Sequence, residues 1–219
     1  MSAKTDRRHV QGDESRERIL DATIEIASLR GYQGTSIAEV SKRSGLPASS
    51  IYWHFRNKDD LIAAVIQRSF NTWMNTVTIV SLRRPGTGPR EHLIRAMRDQ
   101  ATALVANPEF LRLGLMLALE QNPQEPSARA MFLQVREQSF VVLTESFERI
   151  LVELHGSGDA ALARRMAVVT MAAADGLFIA HQVDPAALDL EDEFQLLAEM
   201  VVAALEDGPV PGSPRRSRG

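Results

Sequence analysis

Residues 37–55 read IAEVSKRSGLPASSIYWHF, and this run constrains the chain more than any other. Two short stretches of helical spacing flank Gly45. A tight turn between two packed helices needs a residue at positive φ, which glycine adopts at no steric cost. Ser41, four residues earlier, is small where the two helices approach. Val40, Leu46 and Ile51 are apolar at the spacing that packs the second helix onto the first. The run therefore predicts two short helices meeting at a glycine turn, the pattern of a helix-turn-helix.

The flanking residues extend the helical reading. From about Glu14 to Arg30 an amphipathic stretch places Ile19, Ala22, Thr23, Ile26 and Ala27 on one face, with Gly31 as a left-handed stop. Ser36 followed three residues later by Glu39 makes a capping box for the helix 37–44. Pro47 opens the helix 48–55, where its missing N–H costs nothing. Asn57 caps a long helix with Asp59 and Asp60 in its first turn. After the loop RRPGTGP at 83–89, helices are predicted at 89–106, 108–121, 126–155, 158–182 and 190–206. Sustained period-2 alternation is absent. The expected fold is all-α: a three-helix head (14–58) and a helical body (59–207), about nine helices together. Residues 1–13 read as a disordered basic arm and 208–219 (GPVPGSPRRSRG) as a disordered tail.

Composition narrows the function. Net charge is −3, from 25 Lys+Arg against 28 Asp+Glu, which excludes a uniformly basic nucleic-acid coat. Residues 1–58 alone carry net +3 and the remainder −6, so a basic head sits on an acidic body and suits a polyanion. There is no cysteine, hence no disulfide framework, thiol nucleophile or thiolate metal site. Five scattered histidines suggest no metal cluster. G-x-S-x-G, H-E-x-x-H, P-loop and carboxylate–His patterns are missing, so neither an enzyme nor a bound cofactor is expected. The N-terminus shows no signal-peptide h-region. The apolar run Met166–Ala180 is too short to span a bilayer and reads as a buried helix, so a cytoplasmic protein without a membrane partner is expected.

In the third helix, Ser49, Ser50, Tyr52, Trp53 and His54 ring an exposed face suited to phosphates and base edges. Lys58 stands in the first turn of a helix, where a cation opposes the dipole, and a phosphate at that helix start would explain it. The run Gly31–Leu61, GYQGTSIAEVSKRSGLPASSIYWHFRNKDDL, resembles the DNA-binding head of the TetR family of bacterial transcriptional repressors, most specifically in its I-Y-W-H-F-x-N-K-x-x-L ending. Ala174–Leu177 and the Asp184-Pro185 loop also look family-like. The resemblance implies phosphate contacts from Thr35, Ser36, Tyr52, His54 and Lys58, and base contacts from Ala48, Ser49, Ser50 and Trp53. Many members carry Lys, Arg or Gln near 48 or 49. Ala48 offers only methyl contact, so Lys42 and Arg43 are expected to compensate through the backbone, with Lys4, Arg7 and Arg8 reaching a groove.

The resemblance also implies a homodimer on a palindromic, double-stranded DNA operator. Met166, Val169, Ala173, Gly176, Ala180, Leu197, Met200, Val201 and Ala204 are the expected interface, in a four-helix bundle of the last two helices and their symmetry mates. A small, largely apolar effector is expected at Phe70, Trp73, Met74, Phe110, Met116, Leu117, Glu120, Phe140, Thr144, Asp175 and Phe178, its binding releasing the repressor. The same sequence suits a DNA-bound protein-interaction platform without a small ligand, which a dry central domain would favour.

Overall fold

The computed structural model describes residues 3–80, 86–119 and 126–208, with side chains described for 12–76, 86–119 and 127–208. Among these residues there are nine helices and no strand. They are α1 (Ala3–Arg30), α2 (Ile37–Ser44), α3 (Ala48–His54), α4 (Lys58–Val80), α5 (Pro89–Ala106), α6 (Glu109–Leu119), α7 (Pro126–His155), α8 (Ala160–Val183) and α9 (Leu190–Glu206). Part of the expected 83–89 loop and the tail from residue 209 lie outside the described residues.

The helix ends follow from local chemistry. The Ser36 hydroxyl accepts from the Glu39 N–H at 3.2 Å and donates to the Glu39 carboxylate at 3.3 Å, closing the capping box. Asn57 Oδ1 accepts from the Asp60 N–H at 2.8 Å. Asp159 and Asp189 cap α8 and α9 in the same way. The first helix departs from expectation: where the composition of residues 1–13 predicts a disordered arm, α1 runs back to Ala3. Gly12 is the only glycine in that stretch, and the Trp53 ring lies over it, 3.8 Å from where a Cβ would stand. Local cover from the third helix thus offsets the weak propensity that the sequence shows.

The chain forms two compact units. The first, Met1–Met74 with Asn107–Arg136, holds the head, most of α4, α6 and the start of α7. Its interior includes Ile19, Leu20, Tyr32, Val40, Ile51 and Phe55 from the head and Leu61, Ile62, Val65 and Ile66 from α4, all buried. Burying such side chains contributes about 1.5–3 kcal/mol each. Met116 of α6 brings its Cε to 3.1 Å from the Cβ position of Gly31, which ends α1 at φ 67°. Gly114 lets α6 lie directly on the Phe132 ring, where a methyl group would collide.

Asp59 makes the most specific link in this unit. It is buried, and its carboxylate accepts from the Ser127 N–H at 2.8 Å and the Ala128 N–H at 3.1 Å. A carboxylate from α4 therefore caps the N-terminus of α7 and lies at the positive end of its dipole. The sequence predicts a domain break after Lys58; the chain instead divides so that the head stays with α6 and the first turns of α7. Contacts made by Asp59 and Met116, distant in sequence, account for the difference.

The second unit, Asn75–Ala106 with Glu137–Gly219, pairs α9 against α5 and α8. Arg90 donates to Glu206 at 3.3 Å and Thr102 to Glu191 at 2.7 Å, so α5 and α9 run antiparallel. Leu93, Met97, Ala101 and Leu104 meet a core that includes Leu190, Phe194, Leu197, Val201 and Leu205. Within the single chain Val168, Val169 and Ile179 of the apolar run Met166–Ala180 are exposed, so its own chain does not supply the all-round burial expected with symmetry mates. By length and composition α8 is apolar enough to cross a membrane, and most of it is uncovered in the single chain.

Replacing Asp59 by Ala should lower stability by about 1–2 kcal/mol, the usual cost of a lost cap. Hydrogen exchange at the Ser127 and Ala128 amides should accelerate ahead of the head amides; unchanged exchange there would remove the cap.

Candidate nucleic-acid interface

The recognition face rests on the turn between α2 and α3. Gly45 sits at φ 69°, as the glycine argument requires. Ser41 does more than leave room: its hydroxyl donates to the Leu46 carbonyl at 2.7 Å and ties the turn closed. Arg18 of α1 donates to the Ser44 carbonyl at 2.7 Å and fastens the turn to the first helix. Ile51 faces inward and is fully buried, which turns the other side of α3 outward.

On that outward side Tyr52 is 57% and Trp53 76% exposed. Large aromatic groups are rarely left in water without a use. Trp53 is nonetheless held, edge-on to His54 with ring centroids 4.5 Å apart and over Gly12 on its other contact. Ser49 and Ser50 join Ser15, Trp53 and His54 around an open cleft of about 280 Å³. Ala48 is half-buried at the start of the helix, and Lys42 is exposed at the end of α2. Arg43 is ion-paired with Glu25, so it is already engaged by α1.

Two expected phosphate contacts look different in the structure. Thr35 is only 2% exposed and its hydroxyl donates to the Gly31 carbonyl at 2.9 Å. It builds the α1–α2 turn, which a threonine in an isolated capping pattern does not reveal; Ser36 beside it stays exposed. Lys58 is half-buried, with Nζ donating to the Tyr32 carbonyl at 3.2 Å and lying 3.9 Å from the centre of the Tyr32 ring. Its position in a helix start, unfavourable by the dipole alone, is thus explained by a carbonyl and a ring face. Next to it Arg56 clasps Asp60 through two hydrogen bonds, and that contact holds the Asp60 carboxyl below its ordinary range against the opposing effect of burial.

His54 is partly buried, and its Nε2 lies 2.9 Å from the Ser15 hydroxyl. Burial first, and Arg16 second, lower its pKa below the ordinary 6.5, with Asp13 opposing. Ser15 is a member of this face that motif reading misses, because it sits on α1, 39 residues away.

The expected effector residues fall into both units. In the first, Phe70, Trp73 and Phe110 form one aromatic cluster with centroids 5.2–5.8 Å apart. Leu117 is buried and Met74 half-buried. The indole N–H of Trp73 is buried with no acceptor among the described residues. Met116 is placed on the head's Gly31 instead of facing that cluster. In the second unit Phe178 is buried, Arg164 covers Phe140, and the Thr144 hydroxyl is spent on the Phe140 carbonyl at 2.8 Å. Asp175 is half-buried and already engaged. Glu120 lies outside the described residues.

Of the expected interface residues, Val169, Gly176, Ala180 and Met200 are exposed, and Met166, Ala173 and Ala204 are half-buried. Leu197 and Val201, only 7% and 2% exposed, belong to the single chain's core. The exposed stripe of α9 is one step round the helix, at Leu196, Met200 and Ala203, and on α8 it continues to Ile179 and Val183. A periodicity read along one helix does not say which apolar edge meets α5.

Residues 19–65 match the family described as "Bacterial regulatory proteins, tetR family". The chain is similar to the HTH-type transcriptional regulator AcrR of Shigella flexneri, at 36% identity over 59 residues, 27% of each chain. The chain thus spans about a quarter of that relative's length in the match. Among solved structures it is similar to the fatty acid degradation regulator FadR from Bacillus halodurans, at TM-score 0.70 and 17% identity over 86% of this chain and 94% of that one. It is also similar to SmeT, the repressor of the Stenotrophomonas maltophilia multidrug efflux pump SmeDEF, at TM-score 0.66 and 23% identity over 90% and 94%.

Lys42→Ala should weaken binding to every DNA sequence and flatten the salt dependence by about one unit, with stability unchanged because the side chain is exposed. Lys58→Ala should lower the melting temperature as well, through the lost Tyr32 contact. Salt titrations of binding and thermal melts of both variants separate the two; equal melts would remove the packing role of Lys58.

Proposed function

We propose, from the match of residues 19–65 to the bacterial regulatory proteins of the tetR family, that this chain is a ligand-released transcriptional repressor that binds a palindromic operator as a homodimer. The observation that carries the DNA contact is the exposure of Tyr52 and Trp53 on a helix whose opposite side is locked into the head. Ser36, Lys42, Ala48, Ser49, Ser50, Tyr52, Trp53, His54 and Lys58 are its contact set, with Lys58 using the Nζ hydrogens left over from Tyr32.

A head of this size makes few base contacts, and two heads about 34–36 Å apart double them on one face of the duplex. The uncovered apolar stripes of α8 (Val169, Gly176, Ala180, Val183) and α9 (Leu196, Met200) supply the surface for pairing. Covering them with the same surface of a second copy gives an isologous contact with two-fold symmetry, matching a palindrome. The small residues along α8 let two such helices approach closely. On this reading the apolar length of α8 serves a protein partner, and the repressor acts in the bacterial cytoplasm.

The effector is a small, largely apolar molecule carrying a hydrogen-bond acceptor. Phe70, Trp73 and Phe110 provide the apolar wall, and the indole N–H of Trp73 is a buried donor without an acceptor among the described residues. A regulator of fatty acid degradation and a repressor of a multidrug efflux pump share the fold, in keeping with an apolar effector. Release works through the first unit, where Met116 bears on the end of α1 and Asp59 holds α7. Moving the equilibrium from 1:99 to 99:1 requires a roughly 10⁴-fold preference for one state, about 5.5 kcal/mol.

Selection from random duplexes by the full chain should recover two inverted half-sites at one fixed spacing. Val169→Asp with Met200→Asp should give a helical monomer in analytical ultracentrifugation that no longer selects paired half-sites. A dimer that survives both charges, or a wild-type pool without inverted symmetry, would overturn the dimeric reading.

A further inference from the structure

His54 closes α3 with Nε2 at 2.9 Å from the Ser15 hydroxyl oxygen. That hydroxyl has a single proton. It also stands 2.9 Å from the carbonyl oxygen of Gly12, to which it donates. A carbonyl has no hydrogen to offer, so when the serine bonds Gly12 its single proton is spent there. Only a lone pair then faces the imidazole, and the contact forms when Nε2 carries a hydrogen and donates it. In a neutral ring the other nitrogen is left bare. Among the described residues Nδ1 has no hydrogen-bond partner, and it is not among the buried unsatisfied atoms. The ring lines the open cleft with Ser49, Ser50 and Trp53.

On the reading of the head as a DNA-binding module, we propose that His54 is a base-reading acceptor, with Ser15 the positioning residue that sets its tautomer. Phosphate and deoxyribose in duplex DNA present oxygen acceptors, which a bare Nδ1 cannot bond. The major groove offers hydrogen to an acceptor at the N6 amino group of adenine and the N4 amino group of cytosine. His54 therefore selects adenine or cytosine at one position of each half-site. This differs from the phosphate contact that the resemblance implies, because a phosphate contact through Nδ1 needs that nitrogen protonated.

The surroundings keep the ring neutral. Among the described residues the charged groups acting on it are Arg16 and Asp13 of α1, while its α3 neighbours Ser50 and Trp53 carry no charge. Burial and Arg16 outweigh Asp13 and hold the pKa below 6.5. The sign of the pH effect follows. Protonation places a hydrogen on Nδ1 and destroys the acceptor, so affinity falls as pH drops through the lowered pKa. A phosphate donor would show a rise over the same range.

The test has two independent arms. In the free, full-length protein, two-bond ¹⁵N–¹H NMR at pH 7.5 should show His54 as the Nε2–H tautomer, and Ser15→Ala should mix the tautomers. An Nδ1–H tautomer or a charged ring overturns the proposal. In the second arm, DNA is selected from random duplexes by wild type and His54→Ala, with melts confirming that both fold. The variant should lose an adenine or cytosine preference at one position per half-site, by roughly 2- to 12-fold, the worth of one hydrogen bond. Wild-type affinity should fall between pH 7.5 and 5.5, and His54→Ala should lack that fall. A rise on acidification, or a uniform loss on every sequence, overturns the acceptor role while the DNA-binding reading stands. A wild-type pool without enrichment sinks that reading and this proposal together.

Discussion

The carboxylate of Asp59 is the hinge pin of the first unit. It sits in the opening turn of α4, the helix that leaves the head, and holds two backbone N–H groups at the start of α7. Unpaired, the same carboxylate would be a charge in an apolar interior, and the amides would be orphans of a helix end. Each side removes the other's cost. The neighbouring Lys58 binds Tyr32 in the head, so consecutive residues grip the head on one side and α7 on the other. The start of α7 is thus held by the residue next to the one that grips the head.

The recognition face depends on the same economy of contacts. A buried Ile51, a hydroxyl bridge from Ser41 and a guanidinium bridge from Arg18 fix the angle of α3. What projects outward is aromatic and hydroxylic, with no arginine or lysine on the helix itself. On the proposed reading, base discrimination rests on methyl and ring contact and on short hydrogen bonds, including the one assigned to His54. On that reading, positive charge for the phosphates comes from beside the helix, at Lys42 and Lys58.

The second unit is built to be half finished. Its α9 divides into an edge that fills the core beside α5 and an edge left in water, and α8 is mostly in water. Apolar surface of that extent in one contiguous pair of helices is costly to hydrate. On the proposed dimeric reading, association with an identical surface removes the cost without any new sequence feature.

Helix positions were legible in the chain because capping residues, glycines and prolines act locally: the ends of α2, α5, α7 and α9 fall where Ser36, Pro89, Pro126 and Asp189 place them. The outward turn of Tyr52 and Trp53 was also legible, since one short helix cannot bury adjacent positions on a wide arc. Other features depended on groups far apart in sequence. Thr35 turned inward to Gly31, Lys58 found Tyr32, Gly12 was covered by Trp53, and Leu197 and Val201 met α5 while Leu196 and Met200 did not. Local propensity and periodicity determine which residues are helical and which are apolar. Which apolar edge is buried, and which polar group is already satisfied, is decided only when helices from distant parts of the chain pack, because burial and hydrogen bonding belong to pairs of surfaces.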